Sequence, residues 1–498
     1  MEDIIRYFFD GVIKNFAEVY EDFYKDPKNL ADYVLRTREI TDNLAKLAVQ
    51  LALQDMDDKI YNLPARKKNW YVERKGVGKG LITSLGKITI QKTLYVSKNE
   101  VDENGKSLHC YLLDKVLGLE PNQEITEDVM RNVYQEAVQT SYRKGGELAS
   151  ADGGVSKGTV KNILHATKFP ENYQKQKTKR VVEYLYIDAD EDHYHLQFNQ
   201  KKGDLKISEN GLKLNGAITK LIYVFEGIRP VSPKSDRHEL IHPHYFCRGN
   251  DQDNKNLWKE VFDYIETTYD MEQIKRIYVS SDGGSWIKEG YRGLCATTFV
   301  LDGFHLSKSV GKMTGHMKDS KEDAKKELYR AIRSQTKKEF KSIVERLKDC
   351  TDKPKTIEKI EKEANYILSN WTAAKYRLQK KEGVVSCTAE GHVYHLLSSR
   401  MSTQAMGWSK HGANQMARLR EYYYNGGNMM ELAKYQRKPL KLAAGAEEVV
   451  LSAYDELKSE RLERTKLEAE YGKYSETMRV VLPIQKKKQL MFQLNGKI

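Results

Sequence analysis

The chain has 498 residues, too many for one ordinary core, and at roughly 150 residues per domain they point to about three domains. An apolar share of 40% with only 10 Pro and 33 Gly excludes a low-complexity chain, and five scattered cysteines without a CxxC pair exclude a disulfide framework and a four-cysteine zinc site. Lys and Arg number 83 against 70 Asp and Glu, a net charge of +13, which favours a polyanionic partner such as nucleic acid, with a merely basic surface as the plain alternative.

The opening MEDIIRYFFDGVIKNF carries acids where a signal peptide needs positive charge, and no window approaches 18 uninterrupted apolar residues. A soluble, cytoplasmic protein with no membrane association is therefore expected. Apolar residues recur at helical spacing over residues 1–66, as at Ile5, Phe8, Phe9, Val12 and Ile13, then Ile40, Leu44, Leu47 and Leu51. Residues 67–123 change to alternation around Gly, as in KGLITSLGKITIQKTLYV, the pattern of a small β-unit.

Residues 124–170 return to helix, and SYRKGGELASADGGVSKGTVKNILHAT reads as helix, glycine turn, helix. Ser156 is placed to cap the second helix, Gly153 and Gly154 to supply the freedom of the turn. As a DNA-reading helix it would present Ser156, Lys157, Thr159 and Lys161; a plain αα-hairpin is the alternative.

Residues 171–305, resumed at 386–425, look like an α/β domain. VVEYLYIDAD, HYHLQF and AITKLIYVFEGI are taken as three strands, LWKEVFDYIETTY as a helix, IKRIYVS and CATTFVLD as two further strands around a short helix. That order is the order of an RNase H-like sheet. A charged, solvated helical insertion is expected over 306–385, and a helical, basic region over 426–498, with one long helix at 441–472.

Two-metal phosphoryl transfer needs several carboxylates converging on ions roughly 3.5–4 Å apart. Asp190 follows the apolar YLYI, Asp282 ends the strand before Gly283 and Gly284, and Glu390 opens a late helix, so a backbone can aim all three. Each alone fits a turn or a cap better than a ligand, and it is their joint placement that points to one site. Asp188 shares a strand face with Asp190 and competes with it; Glu191 and Asp192 read as solvated turn residues. His305 can orient a ligand or position a phosphate, or it can be a structural histidine. His242, His244 and Cys247 match no standard zinc spacing, and Tyr422–Tyr424 beside Arg418 and Arg420 suit a helix core better than base stacking.

Taken together and in order, LITSLGKITIQKTLYV with YLLDKVLGL, SYRKGGELAS with VSKGTVKNIL, YIDADEDHYHLQ, VSSDGGSWIKEG, FVLDGFHLSK and TAEGHVYHLLSSRM with GWSKHGANQMARLR give the chain a near full-length family likeness. It resembles the ISLre-type bacterial insertion-sequence transposases, which are related to the Mutator-like DDE transposases. The resemblance implies an RNase H-like catalytic domain interrupted by a helical insertion, with Asp190, Asp282 and Glu390 as the DDE ligands of two Mg2+ or Mn2+ ions. Asp302 and His305 look like the Asp-x-x-His signature of the Mutator-like enzymes, whereas Asp190-Glu191 departs from the Asp-Gly common among relatives. The implied partners are double-stranded DNA, as terminal inverted repeats and target, and a further copy of the chain when assembled on DNA. A non-catalytic helix-turn-helix DNA-binding protein and an RNase H-like nuclease are the rival readings.

Overall fold

The computed structural model describes residues 11–437 apart from 102–104, 172–177, 199–205, 208–212, 215, 236, 250–253 and 404–405, together with Val449, Ser452, Ala453 and Asp455. Ile5, Phe8 and Phe9 lie outside the described residues, as do the basic tail and all but those four positions of the helix expected at 441–472. The chain divides into two compact units, Met1–Val129 with Ser150–Gly154 and Arg437–Ile498, and Met130–Ala149 with Val155–Gln436.

In the first unit α1 (Ile13–Lys25), the 33-residue α2 (Leu30–Asn62) and α3 (Pro64–Asn69) lead into a long antiparallel hairpin, β1 (Trp70–Thr83) and β2 (Gly86–Val101). A short β3 (Ser107–Cys110) completes the sheet, followed by α4 (Leu112–Leu117). Alternation in LITSLGKITI puts Leu81, Ile88 and Ile90 on one face, where they meet Ile60 of α2 and Leu112 and Leu113 of α4 in a common core. Asp114 is buried there between Lys79 and Lys92, which supply its neutralising charge.

Helix α5 (Glu127–Gln139) is followed in the second unit by α6 (Tyr142–Glu147) and α7 (Lys157–Ala166). A five-stranded sheet comes next, with β4 (Tyr184–His195) central. Two small hairpins, β5 (Lys206–Ile207) with β6 (Lys213–Leu214) and β8 (Gly227–Pro230) with β9 (His238–Ile241), flank β7 (Gly216–Phe225) and precede β10 (His244–Gly249). Then α8 (Asn254–Thr268), β11 (Arg276–Ser281), α9 (Ser285–Tyr291) and β12 (Thr297–Leu301) alternate as the sequence suggests. The order across the sheet is β10-β7-β4-β11-β12, antiparallel among the first three and parallel from β4 onward.

The first strands differ from expectation. VVEYLYIDAD and HYHLQF do not form two strands: Tyr184–His195 is one, because its alternation runs unbroken through the acids. The third antiparallel strand is His244–Gly249, which holds two of the three residues tested against zinc spacing. On it His244 lies on the face of Phe246, stacked on Tyr264 with centroids 4.1 Å apart, while Cys247 lies on the opposite face beside Glu421, so they cannot share an ion. Tyr422 and Arg420 are buried in the helix core, as their spacing suggests.

Period-two alternation sorts the sheet faces. Leu185, Ile187, Ala189, Ile222, Val224, Ile277 and Val279 pack beneath α8 and α9 in one core. Tyr186, Asp188, Asp190 and Asp192 of β4 occupy the other face. The inserted helices, α10 (Gly303–Met313), α11 (Lys321–Ser334), α12 (Lys337–Asp349), α13 (Pro354–Ser369) and α14 (Trp371–Gln379), are not merely solvated. They enclose a core of their own, with Leu306, Val310, Leu328, Phe340, Ile360, Ile367 and Trp371, that reaches Leu301 of β12. The chain returns through α15 (Ala389–Val393), a π-helical turn at Tyr394–Ser398, α16 (Ser399–Met401), α17 (Lys410–Tyr424) and α18 (Met429–Tyr435). Among the described residues no helix is long and apolar enough to cross a membrane.

Burial pushes the His244 imidazole from 6.5 down to about 4, so it is neutral in the fold while an unfolded chain takes up a proton below about 6.5. Stability present above that pH is therefore lost as pH falls toward about 4, by up to roughly 3 kcal/mol. His244→Phe, which keeps the stack on Tyr264, is expected to flatten this loss; denaturant midpoints of both proteins measured from pH 7 to 4 should diverge on the acid side, and parallel curves would refute the assignment.

Candidate active site

Three carboxylates of β4 point the same way and have different environments. Asp188 is 1% exposed, and its Oδ2 accepts from Tyr223 Oη at 2.8 Å and from the Thr388 backbone N–H at 2.9 Å. Burial pushes it up to about 6 against those hydrogen bonds. Its partners lie on the neighbouring strand and on the segment immediately before Glu390, so Asp188 ties the central strand to the return from the insertion. Asp192 accepts from Ser398 Oγ at 2.7 Å and Ser402 Oγ at 3.1 Å, and Glu191 from Trp286 Nε1 at 2.9 Å. Glu191 and Asp192 are thus bonded strand residues, correcting their reading as solvated turn positions.

Asp190 lies between them, with the Glu191 N–H at 2.9 Å on its Oδ1. Its carboxyl is pushed up to about 7, first by burial and then by the charges of Asp282 and Glu390, while His305 acts in the opposite direction. Four side chains from β4, the end of β11, α10 and α15 thus share one electrostatic neighbourhood. Asp188 Oδ2 is committed to Tyr223 and Thr388, whereas Asp190 feels the charges of Asp282 and Glu390.

Asp282 follows β11 in a turn built around it. Its Oδ1 accepts from Gly284 N–H at 2.9 Å, and its carbonyl accepts from Tyr366 Oη of α13 at 2.6 Å. Gly283 has φ +89°, a conformation few side chains adopt, and a Cβ there would stand 2.8 Å from Asn370 Oδ1. Asn370, between α13 and α14, is held by Lys288 Nζ at 2.6 Å and by the Tyr366 carbonyl at 3.0 Å. The insertion therefore shapes the Asp282 turn directly.

Asp302 caps α10, accepting from Phe304 N–H at 3.2 Å, and its Oδ2 lies 2.9 Å from His305 Nδ1. That hydrogen bond raises the His305 pKa, outweighing burial, with further help from the charges of Asp302, Asp190 and Asp282. Arg377 of α14 donates from Nε to the Leu301 carbonyl at 3.0 Å and from Nη1 to the Val385 carbonyl at 2.7 Å, joining the end of β12 to the chain that leads to Glu390.

Oxygen-only donors suit a hard divalent cation, and a concentration of carboxylates that raises one member's pKa is the environment such an ion relieves. Among the described residues, however, no three His, Cys, Asp or Glu side chains are close enough to form a ready-made metal cage. The acids share a neighbourhood without a closed coordination set.

The predicted DNA-reading residues lie apart from this site, at the start of α7. Ser156 Oγ accepts from Thr159 N–H at 3.1 Å as the helix cap, and Thr159 is half-buried, while Lys157 and Lys161 are exposed. Residues 148–156 separate α6 from α7, longer than the three or four residues of a compact helix-turn-helix.

Sequence reading missed Tyr223, Tyr366, Asn370, Arg377 and Thr388. None carries a local signal, since the partners that tie them to the site are remote in sequence, as Tyr223 to Asp188 across 35 positions, Tyr366 to Asp282 across 84 and Thr388 to Asp188 across 200. Asp192 was findable: uninterrupted alternation from Tyr186 places it on the face of Asp188 and Asp190.

The sheet and this cluster define an α/β protein with an acidic site at the carboxyl ends of its parallel strands. Residues 25–438 match the UPF0236 family, described as an uncharacterised protein family, and the chain belongs to it. A UPF0236 protein of Caldanaerobacter subterraneus subsp. tengcongensis, whose name joins eleven locus designations, is 34% identical over 88% of this chain and 87% of its own. Another in that organism, with four designations, is 32% identical over 88% and 87%. A Streptococcus gallolyticus UPF0236 protein in the vanSb 3' region is 26% identical over 63% of this chain and 67% of its own. A chain of the Drosophila P element transposase strand transfer complex aligns over 61% of this chain and 93% of that one at 9% identity, with a TM-score of 0.24, too low to carry an argument.

Gly283→Ala should cost about 1–3 kcal/mol through backbone strain and the clash with Asn370. Adding Asn370→Ala should restore part of it, the strain at φ +89° remaining. Strictly additive unfolding free energies in a double-mutant cycle would sink the proposed contact.

Proposed function

We propose that this protein is a DNA transposase that binds the terminal inverted repeats of its element and catalyses cleavage and strand transfer. The observation that carries the reading is the shared electrostatic neighbourhood of Asp190, Asp282 and Glu390, brought from three distant segments to one end of the sheet. The sheet order β10-β7-β4-β11-β12, with β7 antiparallel to its neighbours, supports an RNase H-like catalytic domain, and residues 303–379 supply its helical insertion. Relatives at many loci of one genome fit a mobile element.

Asp190, Asp282 and Glu390 would hold two Mg2+ or Mn2+ ions. When bound, such ions supply Lewis-acid activation of the attacking oxygen and relief of charge on the leaving oxygen. The chain's own groups orient. Asp188 and Arg377 fix the segment before Glu390, Tyr366 and Asn370 fix the Asp282 turn, and Asp302 orients His305 through Nδ1 and raises its pKa beside the acids, where an imidazolium would suit a scissile phosphate. Lys157 and Lys161 on α7 would contact DNA backbone, and pairing two element ends would require at least two copies of the chain on DNA. Association with the nucleoid follows from that binding.

Asp190→Asn, Asp282→Asn and Glu390→Gln should each lower strand transfer by roughly a thousandfold or more while leaving DNA binding intact. Asp188→Asn keeps an acceptor for the Thr388 N–H and should retain measurable joining. The assay is an oligonucleotide carrying the element end incubated with target duplex and magnesium; normal joining by Glu390→Gln would refute the reading. Cleavage without joined product would indicate a nuclease, and binding without cleavage a DNA-binding protein.

Lys157→Gln with Lys161→Gln should weaken binding of the element end and reduce the slope of log affinity against log salt by about 2, roughly 0.9 for each phosphate no longer neutralised. An unchanged slope in a fluorescence-anisotropy salt series would remove α7 from the interface.

A further inference from the structure

The inserted helices carry a second feature that the acidic site does not use. Between α11 and α14 lies an open cleft of about 600 Å³ lined by Lys326, Arg330, Arg333, Arg377 and Lys380, with no carboxylate among its lining residues. Lys326, Arg330 and Arg333 recur at helical spacing, so one face of α11 presents three cations, and α14 with the residue after it contributes the other two. Gln379 Nε2 donates to the Arg333 carbonyl at 3.0 Å and Lys375 Nζ to the Gln335 carbonyl at 3.4 Å, so the walls are tied together.

Five like charges in one cleft repel unless something neutralises them. Only Lys326 has an ion pair among the described residues, an exposed one with Asp323 at 3.5 Å. Arg377 Nη2 is buried without an acceptor. The neighbouring cleft between α11 and α12, about 570 Å³, differs: there Asp323 and Glu327 stand among Lys326, Arg330 and Arg346, of which Lys326 and Arg330 line both clefts. Of the two clefts, the α11–α14 cleft alone has no acid in its lining to offset its cations.

This cleft adjoins the acidic site. Gly303, in its lining, follows Asp302 at the start of the helix bearing His305, and a Cβ on Gly303 would lie 3.8 Å from Arg377 Cδ. Arg377 in turn grips the strand end and the segment leading to Glu390. Leu306, Tyr329 and Leu378 give the cleft apolar surface between its cations, as suits a sugar-phosphate chain better than a bare small anion.

We infer that the α11–α14 cleft is a binding site for the phosphodiester backbone of DNA flanking the cleavage site, an inference that rests on the transposase reading. Arg330 and Arg333 are its principal phosphate contacts, and Arg377 links its occupancy to the strand end and the Glu390 segment.

The test uses the full chain and a duplex carrying the element end, with affinity measured across a potassium chloride series. Arg330→Gln with Arg333→Gln should lower the salt slope by about 2 and weaken binding roughly tenfold near physiological salt. The thermal unfolding midpoint should not move, because both side chains are exposed. Lys338→Gln with Lys341→Gln, the same charge change on exposed positions of α12 outside the cleft, should have a much smaller effect. Equal effects of the two pairs would overturn the proposal while leaving the transposase reading intact, provided the wild type binds and cuts the duplex. A wild type that binds no DNA would remove both. Displacement of the duplex by millimolar ATP that depends on Arg330 and Arg333 would make this a nucleotide site and likewise overturn the proposal.

Discussion

The buried Asp188 carboxylate, held between the Tyr223 hydroxyl and the Thr388 backbone N–H, is the contact on which the rest of the site depends. Between the end of β12 at Leu301 and Glu390 the chain makes a long helical excursion. Without a fixed point of return, the glutamate would have no defined place opposite β4. A charge buried this deeply is tolerated only when hydrogen-bonded, so the fold has strong reason to keep Thr388 where Asp188 can accept from it. Arg377 makes a parallel connection from the insertion side, bonding Leu301 and Val385 at once.

Given that closure, the electrostatics of the site follow. Asp190 is flanked on its own strand by acids bonded elsewhere, Asp188 to the return segment and Asp192 to Ser398 and Ser402, and so is left to face Asp282 and Glu390. Burial first, and then the like charges of Asp282 and Glu390, favour proton uptake, and the raised pKa of Asp190 expresses both. His305, whose pKa the hydrogen bond to Asp302 raises, stands in the same neighbourhood. The site is poised between repulsion and neutralisation, the state in which a cation or a bound phosphate has most effect.

The helical insertion is more than a spacer. Its core of Leu, Ile, Val and aromatic side chains makes it a rigid body, and its polar residues reach back to the sheet: Tyr366 and Asn370 to the Asp282 turn, Arg377 to the ends of β12 and the return segment. Rigidity of this kind lets a loop-borne carboxylate be held by side chains remote in sequence. It also allows the unbalanced cations of α11 and α14 to stand at fixed positions beside the site.

Much of this is legible in the chain itself, because periodicity is a local property. Helical spacing marks α2, α8 and the inserted helices, alternation marks the β1–β2 hairpin, and apolar runs ending in Asp or Asp-Gly single out Asp190 and Asp282 as acids a backbone can aim. The same logic fails where composition masks it. Four acids in DADED suggest a turn and divide β4 in two, although its period of two never breaks. In His244–Gly249 the histidine and cysteine draw attention to zinc and away from the strand pattern. What only the tertiary structure decided was partnership: that Asp188 binds Thr388 while Asp190 faces Asp282 and Glu390, and that Asn370 fills the space a side chain at Gly283 would need. These contacts join residues up to 200 positions apart, and no local pattern encodes them, because they exist only once the insertion has folded and brought its ends together.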